Sequence, residues 1–172
     1  MAISCNNQIF SLHTKHSTYQ MKVDRDFLIH TYYGPYVGDS DMSYLARCID
    51  RGFSGNPDGI TDKGYSLDTQ LLEYPSYGTG DFRNDCLRVA YADGSQVTDL
   101  KYVSHEIKEG KYGLEGLPAM YQGEENVQTL EVVLQDVYKK LEVILYYGVF
   151  ENLDVITRAC KIVNKGEDKV NL

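Results

Sequence analysis

At 172 residues, 42% hydrophobic and 24% charged, the chain is long enough to bury one core and has the balance of a globular domain. A net charge of −8, a pI near 4.9 and the lack of any lysine–arginine cluster argue against a nucleic-acid partner. No apolar run approaches the ~20 residues of a membrane-spanning helix, and fifteen tyrosines against no tryptophan favour strands with amphipathic faces.

In chain order, the first residues carry neither a basic stretch nor an apolar run, so no signal peptide is expected and a cytoplasmic location is the default. Residues 9–12, 18–23 and 27–33 alternate apolar and polar side chains as short strands of a meander, with a polar turn at Asp24-Arg25-Asp26. Between 35 and 83 the regularity disappears. Glycine, proline, aspartate, asparagine and serine recur there, with a short helix expected at 43–49. A connection this long is far above the usual ~4–6 residues, and its aromatics argue for an ordered, functional excursion. From Cys86 the strand pattern returns, at 87–91 and 96–107, joined by a hairpin turn at Asp93-Gly94. After an irregular stretch at 111–126, strands are expected at 129–136, 141–150 and 155–163. The two-residue beat of Leu130, Val132 and Leu134 against Glu131 and Gln135 favours a strand over a helix. Residues 164–168 read as a further turn and 169–172 as the opening of another strand, as expected for part of a longer domain.

Most catalytic and metal motifs are missing. The four cysteines, Cys5, Cys48, Cys86 and Cys160, form no CxxC, and the four histidines show no metal-ligand spacing, so neither metal nor cofactor is expected. Gly78-Thr79-Gly80 lacks the third glycine of a phosphate loop, and Asp58-Gly59-Ile60-Thr61-Asp62 lacks the alternation of a calcium loop. Acids are plentiful at Asp50, Asp58, Asp62, Asp68, Glu73 and Asp81, but spacing pairs none of them for glycoside hydrolysis. Residue types that bind sugars are present: Asp50-Arg51, Lys63, Tyr74, Tyr77, Asp81 and Arg83 offer acceptors, donors and aromatic faces. Chemistry alone favours the plainer reading, in which the tyrosines pack the loop and Asp81 pairs with Arg83. The residues by themselves leave open a stand-alone carbohydrate-binding or interaction sandwich.

One block narrows this. Glu73-Tyr74-Pro75-Ser76-Tyr77-Gly78-Thr79-Gly80-Asp81-Phe82-Arg83 resembles the N-terminal domain of bacterial α-galactosidases of glycoside hydrolase family 36. The likeness runs in order through Phe10-Ser11-Leu12, Ile29-His30-Thr31-Tyr32-Tyr33-Gly34, Gly94-Ser95-Gln96-Val97-Thr98-Asp99, Leu114-Glu115-Gly116-Leu117-Pro118 and Val155-Ile156-Thr157-Arg158. It implies an all-β fold, part of an antiparallel β-supersandwich, with the long irregular region at 35–83 as an arm. It also implies a parent enzyme that hydrolyses terminal α-1,6-galactosides such as melibiose and raffinose with retention, its catalytic aspartates lying in a (β/α)8 barrel that 1–172 does not contain. By itself the chain is then inactive. In tetrameric members the arm reaches a neighbouring subunit's galactose pocket. Asp50, in the Asp50-Arg51-Gly52-Phe53-Ser54 block, matches the aspartate that binds the sugar hydroxyls there. Lys63 is the nearest match to a second sugar-binding position where the family commonly has arginine, and an ammonium does not reproduce a bidentate guanidinium.

Overall fold

The computed structural model describes residues 1–46, 49, 55–123, 126–136 and 138–172. Among the described residues, ten strands make two four-stranded antiparallel sheets and a short ribbon. The first sheet is a meander of β1 (Ile3–Asn6), β2 (Ile9–His13), β3 (Ser17–Asp24) and β4 (Phe27–Pro35). Asn7-Gln8 and Arg25-Asp26 turn its first and third hairpins with both central residues at positive φ, the geometry that matches the strands' right-handed twist. The second sheet runs β6 (Leu100–Glu109), β7 (Val127–Asp136), β8 (Leu141–Phe150) and β9 (Val155–Asn164). β5 (Ala90–Tyr91) pairs with β10 (Val170–Asn171).

The sheets pack face to face because their inner side chains alternate. Ile3, Phe10, Leu12, Met21 and Leu28 from the first meet Leu130, Val132, Leu134, Val143, Leu145 and Val149 from the second in one buried cluster. A satellite cluster of Phe27, Tyr65 and Leu67 sits under the arm. Bulges re-aim the pleat at Thr31, which donates to the Gln20 carbonyl at 3.0 Å, and at Val103.

The all-β antiparallel architecture agrees with the alternation in the sequence, and β2, β3, β4, β7, β8 and β9 fall where expected. Five local readings need correction. β1 has only Ile3 buried and turns through non-glycine residues, so neither pattern nor turn announces it. The strand expected from 96 starts at Leu100, and that expected at 87–91 shortens to Ala90–Tyr91. The Asp93-Gly94 turn forms, closed by Gly94 N–H to the Tyr91 carbonyl at 2.9 Å, but β5 takes β10 as its partner and not the segment that follows. Of the helix expected at 43–49, one 3₁₀ turn appears at Ser43–Leu45, while 47 and 48 lie outside the described residues.

Candidate functional site

The site begins with a carboxylate that is almost wholly removed from water. Glu73 follows a short stretch of the arm that pairs with β4: Ile29 bridges Leu72, His30 N–H donates to the Leu71 carbonyl at 2.7 Å and Glu73 N–H to the Leu28 carbonyl at 2.9 Å. This pairing drives the Glu73 side chain, 1% exposed, into the mouth of the sandwich. Both sheets meet it there. Tyr19 of β3 donates to its two oxygens at 2.8 and 2.7 Å, Tyr147 of β8 donates to Oε1 at 2.9 Å, and Arg158 of β9 places Nη2 2.5 Å from Oε1. His30 Nδ1 lies 3.7 Å from Oε2, its ring packed on Tyr19.

Burial, then the Glu73 charge, pushes the Tyr19 and Tyr147 hydroxyls far above the usual phenol range, so both remain donors. Burial works against the Arg158 cation, but Glu73 and the two phenols outweigh it and hold the guanidinium more firmly protonated. Burial lowers His30, Glu73 opposes that, and Arg158 adds to it. A buried charge needs a partner and hydrogen bonds, and Glu73 has both. In front of this hub a cleft of about 560 Å³ is lined by Tyr19, His30, Tyr33, Glu73, Arg83 and Arg158.

A second anchor holds the end of the arm. Asp81, buried at 3%, accepts from Arg83 Nε and Nη2 at 2.8 Å each and from Arg83 N–H at 3.1 Å. The same Nη2 reaches back to the carbonyls of Leu67 at 3.1 Å and Gln70 at 2.6 Å, on the 3₁₀ turn Leu67–Thr69. Gly78, at φ +100°, allows the loop to lie against Val97, whose Cα would stand 3.1 Å from an added Cβ. Gln20 anchors the start: its fully buried amide donates to Ser11 Oγ and the Ser40 carbonyl at 2.9 Å and accepts from Met42 N–H at 2.9 Å. Beyond the arm's middle, Asn56 Nδ2 donates to the Tyr65 carbonyl at 3.0 Å. The arm is therefore held by buried polar side chains on both sides of its central stretch.

Asp50, the first sugar-binding candidate, lies outside the described residues. Lys63 is exposed in a turn and lines neither the cleft in front of Glu73 nor the one between the arm and the β7–β8 turn. Asp81 and Arg83 pair with each other. Tyr74 packs against the core with its hydroxyl 3.6 Å from Cys160 Sγ, and Tyr77 sits edge-on to Phe82 with Arg88 over its ring at 4.6 Å. The larger cleft, about 590 Å³, lies between the arm and the β7–β8 turn and includes Asp58, Phe82, Asp99 and Tyr138. The histidines take structural posts: buried His13 bridges Thr18 and Asp39, and His16 pairs with Asp154. Sequence reasoning put Glu73 among loop acids and missed its partners, since Tyr19, His30, Tyr147 and Arg158 carry no common motif. A period-two count could have found one half of it, by placing Arg158 among Ile156 and Ile162 on the inward face of β9.

Glu73 and Asp81 are both engaged by guanidinium groups, and neither is left free as a nucleophile. The described residues form an antiparallel β-sandwich with a long arm laid across it. Residues 26–172 match the glycosyl hydrolase family 36 N-terminal domain. Over 169 residues and 97% of its length the chain is 48% identical to the bifunctional alpha-galactosidase/sucrose kinase AgaSK of Mediterraneibacter gnavus, covering 18% of that protein. It is 42% identical, over its whole length, to the alpha-galactosidase AgaA of Geobacillus stearothermophilus, of which it covers 24%. The fold superposes on the galactosidase domain of AgaSK with a TM-score of 0.93, covering 98% of this chain and 24% of that one. On an AgaA variant in complex with raffinose the TM-score is 0.88 at 43% identity, covering 94% of this chain and 23% of that one. The chain belongs to the glycoside hydrolase family 36 N-terminal domain family. It spans about a fifth to a quarter of the length of these relatives.

Proposed function

We propose that residues 1–172 are the N-terminal part of the β-supersandwich domain of a cytoplasmic, homotetrameric α-galactosidase, whose catalytic barrel is supplied by further polypeptide. The parent enzyme hydrolyses terminal α-1,6-galactosides such as melibiose and raffinose with retention. This segment contributes scaffold, subunit contacts and a substrate-binding arm, and by itself has no activity. The observation that carries the reading is similarity along the whole of this chain to alpha-galactosidases, one of them solved with raffinose, in a chain whose buried Glu73 and Asp81 are both spent on bracing the arm. Asp50 positions galactosyl hydroxyls in a neighbouring subunit's pocket, and Lys63 supports it as a point-charge donor. An aspartate can accept from two adjacent hydroxyls at once, which suits it to orienting a sugar without transferring protons.

The test is hydrolysis of melibiose and raffinose by the longer protein that carries this segment, against the 172-residue chain alone. Galactose released with retained anomeric configuration by the first, and none by the second, is the expected result. No release of galactose by the longer protein overturns the reading.

A further inference from the structure

The cleft in front of Glu73 presents more hydrogen-bond donors than its own acceptors take up. Arg83 and Arg158 both line it, and each side chain is 48% exposed. The carboxylates beside them are filled. Glu73 accepts from Tyr19, Tyr147 and Arg158, and Asp81 accepts from Nε, Nη2 and the backbone N–H of Arg83. Arg83 Nη2 also serves the carbonyls of Leu67 and Gln70, and Arg158 Nη2 that of Glu73 at 3.4 Å. Arg83 Nη1 is left without an acceptor among the described residues. Arg158 Nη1 meets the Tyr19 hydroxyl at 3.5 Å, the outer limit of a hydrogen bond. A guanidinium carries five N–H donors and no acceptor, so both groups keep donor capacity for a ligand. Their buried partners already fix each planar fork, which leaves little side-chain freedom to lose on binding.

The rest of the wall is apolar. Tyr33 on β4 is 66% exposed with its ring 5.7 Å from that of Tyr19, and Leu71 and Pro75 extend the surface. Leu71 directly follows Gln70, whose carbonyl accepts from Arg83 at 2.6 Å, so donor and apolar wall adjoin. The charges lining the cleft cancel, Glu73 and Asp81 against Arg83 and Arg158, and burial disfavours a charge on His30. A multiply charged anion therefore gains no net attraction there, whereas one planar carboxylate matches the spare fork. A volume of about 560 Å³ is that of a small-molecule site. We propose that this cleft binds an organic monocarboxylate, its oxygens on the free Nη1 of Arg83 and its apolar body against Tyr33 and Leu71. A neutral amide of the same shape turns its own N–H groups toward those of the guanidinium and is rejected. Inorganic phosphate has no body to pack on the tyrosine.

The experiment is titration of the folded, ¹⁵N-labelled 172-residue chain with phenylacetate, phenylacetamide and inorganic phosphate, followed by amide chemical shifts in NMR. Phenylacetate should give saturable shifts at His30, Tyr33 and Leu71, and both phenylacetamide and phosphate should bind at least about tenfold more weakly. Tyr33→Ala, which removes an exposed ring, should weaken phenylacetate several-fold with the spectrum of the fold retained. Arg83→Lys keeps a cation beside Asp81 but loses the fork, and should abolish saturation. If Arg83→Lys does not fold, Tyr33→Ala and the amide control decide. Phenylacetate shifts that never saturate, that map outside the cleft, or that phenylacetamide or phosphate reproduces at equal concentration overturn the proposal.

Discussion

Glu73 sets the terms at the residue scale. Replacing it with glutamine leaves Tyr19, Tyr147 and Arg158 facing an amide with one acceptor oxygen and an unwanted donor. Each buried donor without an acceptor costs about 1–3 kcal/mol, and the half-exposed Arg158 recovers part of its loss from water. We expect Glu73→Gln to lower unfolding stability by about 2–3 kcal/mol in urea titration and Tyr147→Phe by about 1–2 kcal/mol. Equal, negligible losses would mean the hub is not formed in solution. His30 gives a pH signature. Its folded pKa lies below the unfolded 6.5, so the folded state favours neutral imidazole. Its contribution is complete above that value and is lost as pH falls from there toward the lowered folded pKa. His30→Phe, which keeps the ring on Tyr19, should reduce the stability lost between about pH 7.5 and about pH 5.5, and an unchanged slope would rule the histidine out as its source.

At the scale of elements, the division between strands and arm was legible and the fastenings of the arm were not. β3, β4, β7 and β8 show in the sequence because one face of each is buried, and period two follows from the pleat. β1 escapes notice because it is short and buries only Ile3, and the partner of β5 escapes notice because β10 lies nearly eighty residues on. The Asp81–Arg83 clamp could be anticipated from proximity in sequence. The Gln20 anchor and the Glu73–Arg158 pair could not, since side chains 85 residues apart meet only through topology. Gly78 tests the arm's seating. A methyl group there would meet Val97 Cγ2 at 2.9 Å on a backbone at φ +100°, so Gly78→Ala should cost about 2–3 kcal/mol and loosen the 76–98 contact. Amide exchange of Thr98, whose N–H donates to the Tyr77 carbonyl at 3.1 Å, should quicken in that variant. Unaltered protection would show that the loop seats some other way.

At the scale of the whole molecule, buried Glu73 and Asp81 brace the arm, while buried Asp136 accepts from the Tyr138 and Lys139 N–H groups in the β7–β8 turn. As a stand-alone carbohydrate-binding module, the chain would hold melibiose or raffinose in its exposed clefts. As part of a larger enzyme it should show no saturable heat of binding to either sugar in calorimetry, and a saturable isotherm would favour the module. Family membership was legible in the sequence because the 73–83 block and the further matching blocks follow one another in order along the chain. The role of Asp50 rests on matching that family's arm and needs the assembled enzyme. The most direct test is therefore the kinetics of Asp50→Ala in the longer protein that carries this chain, with melibiose as substrate. Loss of a charged hydrogen-bond contact worth about 1.5–3 kcal/mol predicts a fall in kcat/KM of roughly ten- to a hundred-fold with the fold intact. Unchanged kcat and KM would contradict the account: the arm would then be a structural loop, with no part in holding the sugar.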